Sequence, residues 1–455
     1  MTTILLREGD RFSLEELRGR LGGQGAIQAL VRCGVLRRAA PANRRELFEQ
    51  LALETPGDEN PEGEYASPFV GIALLDDVVI QVYPKFYSTP PSRPRFKTIL
   101  DVIRKAGPML EAIPDHQTEG GAFLGRLPLM VLLLRDYFEN GLYENRSSAF
   151  AENGQGEIDW GRTTESMTPW IQGGTPHYLD VVTRRTIRDE TNVVRRLHAA
   201  VLTRISRELS RALLLDLFGF EEVVASSEEI SDIGSENFLK YHLDRERRSQ
   251  FDTGKLRLIE LLRQYLFDSR PPQGGSNVHT FGTFNFNLIW QRVCASLLEN
   301  RSDSLGRCIP RPQWVPDQGE ATSVETLLPD ILATIQDDDG ANLLILDAKY
   351  YDISFTDGHL SGNPGLQDVV KQFVYQMAFE PSTDSRHWKS ITNAFLMPGE
   401  NSSIERLGCV RFPVFGDRRI EVVRLPADAL FHQYVAREPF DLPLLFGKLG
   451  GGLPH

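Results

Sequence analysis

Asp330, Asp347 and Lys349 are the residues of this sequence whose types and spacing best fit catalytic chemistry. Asp330 follows Pro329 and opens the apolar run Ile331 to Ile335. Asp347 and Lys349 close the apolar run Leu343 to Leu346. Between the runs, Asp337-Asp338-Asp339-Gly340 is turn chemistry. The pattern predicts a hairpin, and in an antiparallel pair the start of one strand lies beside the end of the next. All three side chains then meet at one end of a sheet. Asp347 and Lys349 are two apart, so they face the same side. Two carboxylates suit Mg2+, a hard cation that prefers oxygen ligands, with Mn2+ able to substitute. The backbone carbonyl of Ala348 offers a further oxygen. Such a cation polarises a phosphate and acidifies bound water. A lysine beside it orients or deprotonates that water and offsets developing negative charge. The set fits phosphodiester hydrolysis. Asp-x-Lys alone is a common solvated strand end, so the weight rests on the hairpin placement.

A helix is predicted downstream, from Leu366 after Pro364-Gly365. Asp368, Lys371, Gln372 and Tyr375 fall at i, i+3, i+4 and i+7, one polar face. Val369, Val370, Phe373 and Met377 lie on the opposite side. An amphipathic surface helix is the simpler reading. If the polar face meets the acidic pair instead, Gln372, Tyr375 and Lys371 support the site or bind DNA.

The elements that carry these residues follow from periodicity and breakers. Ser13-Leu14-Glu15-Glu16 has capping-box spacing. A glycine-rich break and a second helix from Ala26 to Cys33 follow, then a short strand at Val35 to Arg38, a winged-helix-like order. Residues 54–66 read as a polar loop. Phe69 to Leu75 and Val78 to Phe86 read as a hairpin around Asp76-Asp77, with Pro84 ending the second strand. Helices are expected over 96–112, 126–141, 188–214, 252–267 and 284–299, a strand over 177–184, and a loop from Ser269. The acidic stretch 222–236 suggests a boundary.

The chain has 455 residues and a net charge of −12, with 41% hydrophobic and 25% charged residues, the profile of a globular protein of two or three domains. The negative charge disfavours coating nucleic acid by bulk electrostatics, though not a local metal-dependent site. No apolar run approaches the roughly 18–20 residues of a membrane span. The N-terminus lacks a secretion pattern. The four cysteines (Cys33, Cys294, Cys308 and Cys409) are scattered. They give neither a zinc site nor a disulfide framework, and a cytoplasmic location is expected. No P-loop is present.

The triad with the Gln372/Tyr375 helix resembles PD-(D/E)XK nucleases of the restriction and RecB-like type. Phe69-Val70-Gly71-Ile72, the strand end Val82-Tyr83-Pro84-Lys85-Phe86, the segment Gly156 to Thr163 with Trp160 and Arg162, and Phe286-Asn287-Leu288-Ile289-Trp290 resemble the LlaJI/McrC family of restriction subunits. The resemblance runs from about residue 65 to 435. It implies a cytoplasmic phage-defence nuclease that cuts DNA when activated by a McrB-like AAA+ GTPase, in assemblies with partner hexamers and without a membrane. It also implies that the N-terminal half docks on the partner and stimulates its hydrolysis, with Arg162 a candidate contact. Relatives commonly carry a glutamate after the tryptophan, where this chain has Gln291. Glu299 lies two turns on. The Gln372 to Tyr375 spacing is three residues rather than the usual four.

The expected fold is α/β (α+β). A small winged-helix-like unit (1–50) and a mixed α+β docking region (51–230) precede a PD-(D/E)XK core of mixed sheet and flanking helices (231–455). Two functions stay open. One is a metal-dependent endodeoxyribonuclease with Asp330 and Asp347 as metal ligands and Lys349 beside them. The other is a catalytically weak adaptor that regulates an AAA+ partner.

Overall fold

A computed structural model of the chain describes residues 2–38, 65–75, 78–106, 125–144, 146–188, 191–268, 278–317, 320–323, 328–338, 340–356, 359–380 and 388–450. Several expectations lie outside these residues: most of the 54–66 loop, the Asp76-Asp77 turn, the last turn of the 96–112 helix, the loop from Ser269, and Asp339. The chain forms two compact units, Met1–Gly125 with Pro271–His455, and Arg126–Arg270.

The first unit opens with β1 (Thr2–Arg7), β2 (Arg11–Phe12), α1 (Leu14–Leu21), α2 (Gln24–Arg32), β3 (Arg37–Arg38), β4 (Tyr65–Ala66), β5 (Val70–Leu75), β6 (Val78–Tyr83) and α3 (Arg93–Lys105). Ser13 caps α1 as expected, its hydroxyl accepting from the Glu16 N–H at 3.1 Å. The reciprocal half of the box is replaced, because Glu16 pairs with Arg20. α1 and α2 accompany a small sheet of order β2-β4-β3, whose central strand β4 lies at Tyr65–Ala66. β1 lay hidden in a stretch expected to be helical. It pairs in parallel with β6, and Ile4 and Leu6 point into the core while Leu5 points out. The sheet order is β1-β6-β5, with a fourth strand from far along the chain.

The second unit holds α4 (Arg126–Asn140), β7 (Arg146–Glu152), β8 (Glu157–Ile158), α5 (Trp160–Ser166), β9 (Trp170–Gln172), β10 (Thr175–His177), β11 (Val182–Arg188), α6 (Val193–Arg211), α7 (Leu215–Phe218), α8 (Ile230–Ile233), α9 (Glu236–Ser249) and α10 (Thr253–Arg263). The apolar run at 127–134 is the buried body of α4. β7-β11-β8 and the hairpin β9-β10 form two small sheets. Residues 223–226 are tied to α6, where Ser206 and Thr203 hydroxyls accept their N–H groups. The acidic stretch therefore sits within this unit.

The chain re-enters the first unit with β12 (Val278–Thr283), α11 (Phe286–Leu297), α12 (Ser302–Leu305), β13 (Gln313–Trp314), β14 (Thr322–Ser323), β15 (Ile331–Asp337), β16 (Gly340–Ala348), β17 (Ser354–Thr356), β18 (His359–Ser361), α13 (Leu366–Phe379), β19 (Ser390–Gly399), β20 (Glu405–Arg411), β21 (Arg419–Pro426), α14 (Ala427–Ala436) and α15 (Leu442–Lys448). β12 completes the first sheet beside β5. That pairing is why the units do not coincide with the expected boundaries at 50 and 230. Gly71 and Gly282 face each other in it, and a Cβ on Gly71 would lie 2.2 Å from the Phe281 carbonyl oxygen.

The five-stranded sheet β15-β16-β19-β21-β20 is mixed. β15 runs antiparallel to β16, while β16, β19 and β21 run parallel. From Leu343 onward β16 is buried throughout, as a strand covered on both faces must be. Among the described residues, no helix is long and apolar enough to cross a membrane.

Candidate active site

Ile331 pairs with Leu346 at the end of the β15–β16 ladder. The next step outward sets Asp330 opposite Asp347. Strand alternation puts Asp347 on the face of Leu343 and Ile345, which pack against Tyr375 and Phe379 of α13. Asp347 is only 6% exposed, and Asp330 is half-buried. Burial first, and then the charge and carboxyl contact of Asp330, push the Asp347 carboxyl well above the usual carboxylate range, against the pull of Lys349. Asp347 Oδ1 is buried without a hydrogen-bond partner. An orphan of this kind costs roughly 1–3 kcal/mol. Facing carboxylates need a shared proton or a cation between them. Both observations fit a hard divalent cation held by Asp330 and Asp347. Among the described residues, no group of three or more His, Cys, Asp or Glu side chains is placed to hold a metal.

Lys349 follows β16 directly. Its Nζ lies 3.3 Å from Asp347 Oδ2 and 2.9 Å from Asp368 Oδ1. Burial alone would lower the Lys349 pKa, but the two carboxylates outweigh it and hold it above the ordinary value. Lys349 is therefore an ammonium at neutral pH. Its backbone N–H donates to the Leu396 carbonyl at 2.9 Å, and the buried Trp290 indole N–H donates to the same oxygen at 3.1 Å. Sequence reasoning put Asp368 on a polar face and gave it no role. Its place in the first turn of the helix was the available signal.

α13 turns much of its polar face inward. Gln372 is fully buried, and its Nε2 donates to the Ile345 carbonyl at 3.3 Å. Tyr375 donates through its hydroxyl to the Leu328 carbonyl at 3.0 Å, two residues before Asp330. Burial, then the charges of Asp347 and Asp330, push the Tyr375 phenol up to about 12. Gln372 thus holds β16, which carries Asp347, and Tyr375 holds the segment that leads through Asp330 into β15. Lys371 is exposed. Met377, placed on the apolar side by its spacing, is 42% exposed. The simple amphipathic surface helix is not what forms, because the sheet it crosses offers backbone carbonyls to Gln372 and Tyr375.

Gln291 is half-buried on α11, three residues before Cys294 and so on the same face. Burial and then the Asp330 charge push the Cys294 thiol up, so this face lies within electrostatic reach of the site. Glu299 has left the helix at φ 49° and faces solvent beside Arg301. In the second unit, the Asp159 side chain caps α5 by accepting from the Arg162 N–H. The Arg162 guanidinium lies 3.9 Å from the centroid of the Phe150 ring. Trp160 is 57% exposed, so it does not pack in a core.

Comparison with known proteins places the chain among restriction enzymes. The BsuMI type II restriction enzyme component YdjA of Bacillus subtilis is 25% identical over 410 residues, covering 85% of this chain and 84% of its own. McrC in a half-complex with McrB AAA+ hexamers from Thermococcus gammatolerans is similar at 18% identity, covering 96% of this chain and 100% of that one, with a TM-score of 0.38. A second McrBC complex from the same organism gives 15% identity over 64% of this chain and 85% of that one, with a TM-score of 0.28. The family model of the LlaJI restriction endonucleases matches residues 69–433, which span both units and every residue of the candidate site. The chain belongs to the LlaJI restriction endonuclease family.

Proposed function

We propose that the chain is the endodeoxyribonuclease subunit of a restriction system, dependent on Mg2+ or Mn2+ and on an AAA+ GTPase partner whose hydrolysis it stimulates. The observation that carries this reading is the Asp330/Asp347 pair, opposed across the β15–β16 ladder with one carboxylate oxygen buried and unmatched. Asp330 and Asp347 would hold the cation. When bound, it supplies positive charge at the phosphate and lowers the pKa of water. Lys349 is held charged by Asp347 and Asp368, so it serves as a fixed donor that orients water and offsets charge rather than as a base. Gln372 fixes β16 beneath Asp347, and Tyr375 fixes the segment before Asp330.

The partner reading is supported by the second unit. Trp160, Trp170 and Ile171 are each more than half exposed, near the exposed Arg162 in sequence. Exposed aromatics with arginine are the composition of an interface. The McrC named above is bound to McrB AAA+ hexamers, and a partner of that kind is proposed here.

The test supplies partner, nucleotide, Mg2+ and DNA, and compares wild type with Asp347→Ala and Lys349→Ala. Wild type cleaves and both variants fail. If the variants cleave like wild type, the site is elsewhere. A second reading, the regulatory adaptor, is favoured by Gln291, an amide where the family resemblance implies a glutamate. It wins if wild type stimulates the partner's hydrolysis and never cleaves.

A further inference from the structure

The strand end Tyr83-Pro84-Lys85 and the turn after β1 take no part in the site above, yet they grip the chain immediately beyond Lys349. The Glu8 carboxylate accepts from the Tyr350 hydroxyl and, through Oε2 at 3.2 Å, from the Lys85 N–H. The Lys85 N–H also lies 3.2 Å from the Tyr350 hydroxyl oxygen. The Lys85 ammonium sits 4.8 Å from the centroid of the Tyr350 ring, and Phe286 packs against that ring at 5.3 Å. Arg7 donates to the Lys85 carbonyl and, at 3.3 Å, to Asp352. Two residues of the segment 350–352 are thus bound, through polar groups, to a sheet more than 260 positions earlier in the sequence.

We propose that Glu8 and Lys85 are positioning residues for Lys349. They hold the backbone at Tyr350 so that the lysine ammonium stays between Asp347 and Asp368. The inference rests on the nuclease reading for its effect on cleavage. Three physical points support it. Tyr350 is next to Lys349, so a shift at Cα350 moves Cα349 with it, since adjacent Cα atoms stay 3.8 Å apart. The Lys349 backbone N–H is itself held by the Leu396 carbonyl. The Tyr350 phenol is buried and its pKa lies far above neutrality, so it keeps the proton it donates to Glu8. A partly buried hydrogen bond to a carboxylate is stronger than a neutral one.

The test uses the full chain with partner, nucleotide, Mg2+ and DNA, and reads two quantities. Tyr350→Phe keeps the ring and removes the hydroxyl. Glu8→Ala removes the acceptor, and Glu8→Gln keeps one. The maximal cleavage rate falls between about tenfold and about a hundredfold in Tyr350→Phe and Glu8→Ala, the range expected for a misplaced group. Half-saturation by DNA stays within about twofold, a loss in kcat rather than KM. Glu8→Gln keeps about a third or more of the rate. Amide hydrogen exchange over residues 349–352 speeds up about tenfold in the first two variants, while residues 343–346 stay protected. Unchanged rates and unchanged exchange overturn the inference. So does exchange that rises equally over 343–346, which marks a purely structural contact. If wild type does not cleave, the nuclease reading fails separately, and the exchange pattern alone decides whether Glu8 and Tyr350 hold Lys349.

Discussion

Asp330 and Asp347 stand one step beyond the Ile331–Leu346 pair, each carboxyl in reach of the other and one oxygen of Asp347 buried without a partner. This arrangement is costly without a cation. Asp347→Asn removes one of the two facing charges, and with it the like-charge repulsion and the anionic cation ligand. Cleavage should fall by about a hundredfold or more, the scale on which loss of charge stabilisation acts. Thermal stability in EDTA should stay level or rise, by about 1 kcal/mol at most. A variant that melts well below wild type in EDTA would contradict the strain assigned to the pair.

The same pair ties metal binding to protons. Burial and Asp330 raise the Asp347 carboxyl above the ordinary range, so its proton is held to higher pH than usual. A cation must displace that proton. Calorimetry of Mg2+ or Mn2+ binding in buffers of different ionisation enthalpy should show net proton release near neutrality, about one proton at most. Apparent affinity should rise with pH until Asp347 is ionised. Affinity that is flat from mildly acid to alkaline pH would sink this account.

Asp368 makes the shorter contact of the two to Lys349, 2.9 Å against 3.3 Å. Asp368→Asn keeps a hydrogen-bond acceptor but removes one of two charges that raise the Lys349 pKa. The cleavage rate should fall about tenfold with DNA affinity unchanged, and Asp368→Ala should lose more. Equal activity in both variants would show that Asp347 alone holds the lysine.

The carboxylates and the lysine were legible because a hairpin fixes its own geometry. The ladder pairs Asp337 with Gly340 and Ile331 with Leu346, and that register sets Asp330 against Asp347. The inward face of α13 was not legible. Its spacing matches an ordinary surface helix, and only the sheet beneath shows that Gln372 and Tyr375 bond to the Ile345 and Leu328 carbonyls. β1 was missed for a related reason. Thr2 to Arg7 has no turn beside its partner β6, which lies about seventy residues on. Non-local pairing also defeated the unit boundaries, because β12 returns to β5 across the whole second unit.

That return depends on two glycines. Gly71 has φ 143°, and any Cβ there would meet the Phe281 carbonyl at 2.2 Å. Gly71→Ala should therefore destabilise the first unit by several kcal/mol, well beyond the usual cost of a single substitution, about 1 kcal/mol. Denaturant unfolding of the full chain would show it as a lowered midpoint. A change within about 0.5 kcal/mol would mean that the strands separate easily to admit the methyl group.

His198 sets a pH limit on the second unit. It is fully buried on α6, and its Nδ1 accepts from the Tyr143 N–H at 3.1 Å. Burial, with Arg195 second, lowers its pKa to about 4. Its unfolded value is near 6.5, so between these limits the unfolded chain binds the extra proton. The stability that neutral His198 contributes is full above about pH 6.5 and is lost as pH falls toward about 4. The total is about 3 kcal/mol at 1.36 kcal/mol per unit. His198→Leu should lower stability at pH 7, where the Tyr143 N–H loses its acceptor, yet flatten the decline between pH 6.5 and 4. A variant that keeps the wild-type acid slope would assign that slope to other groups.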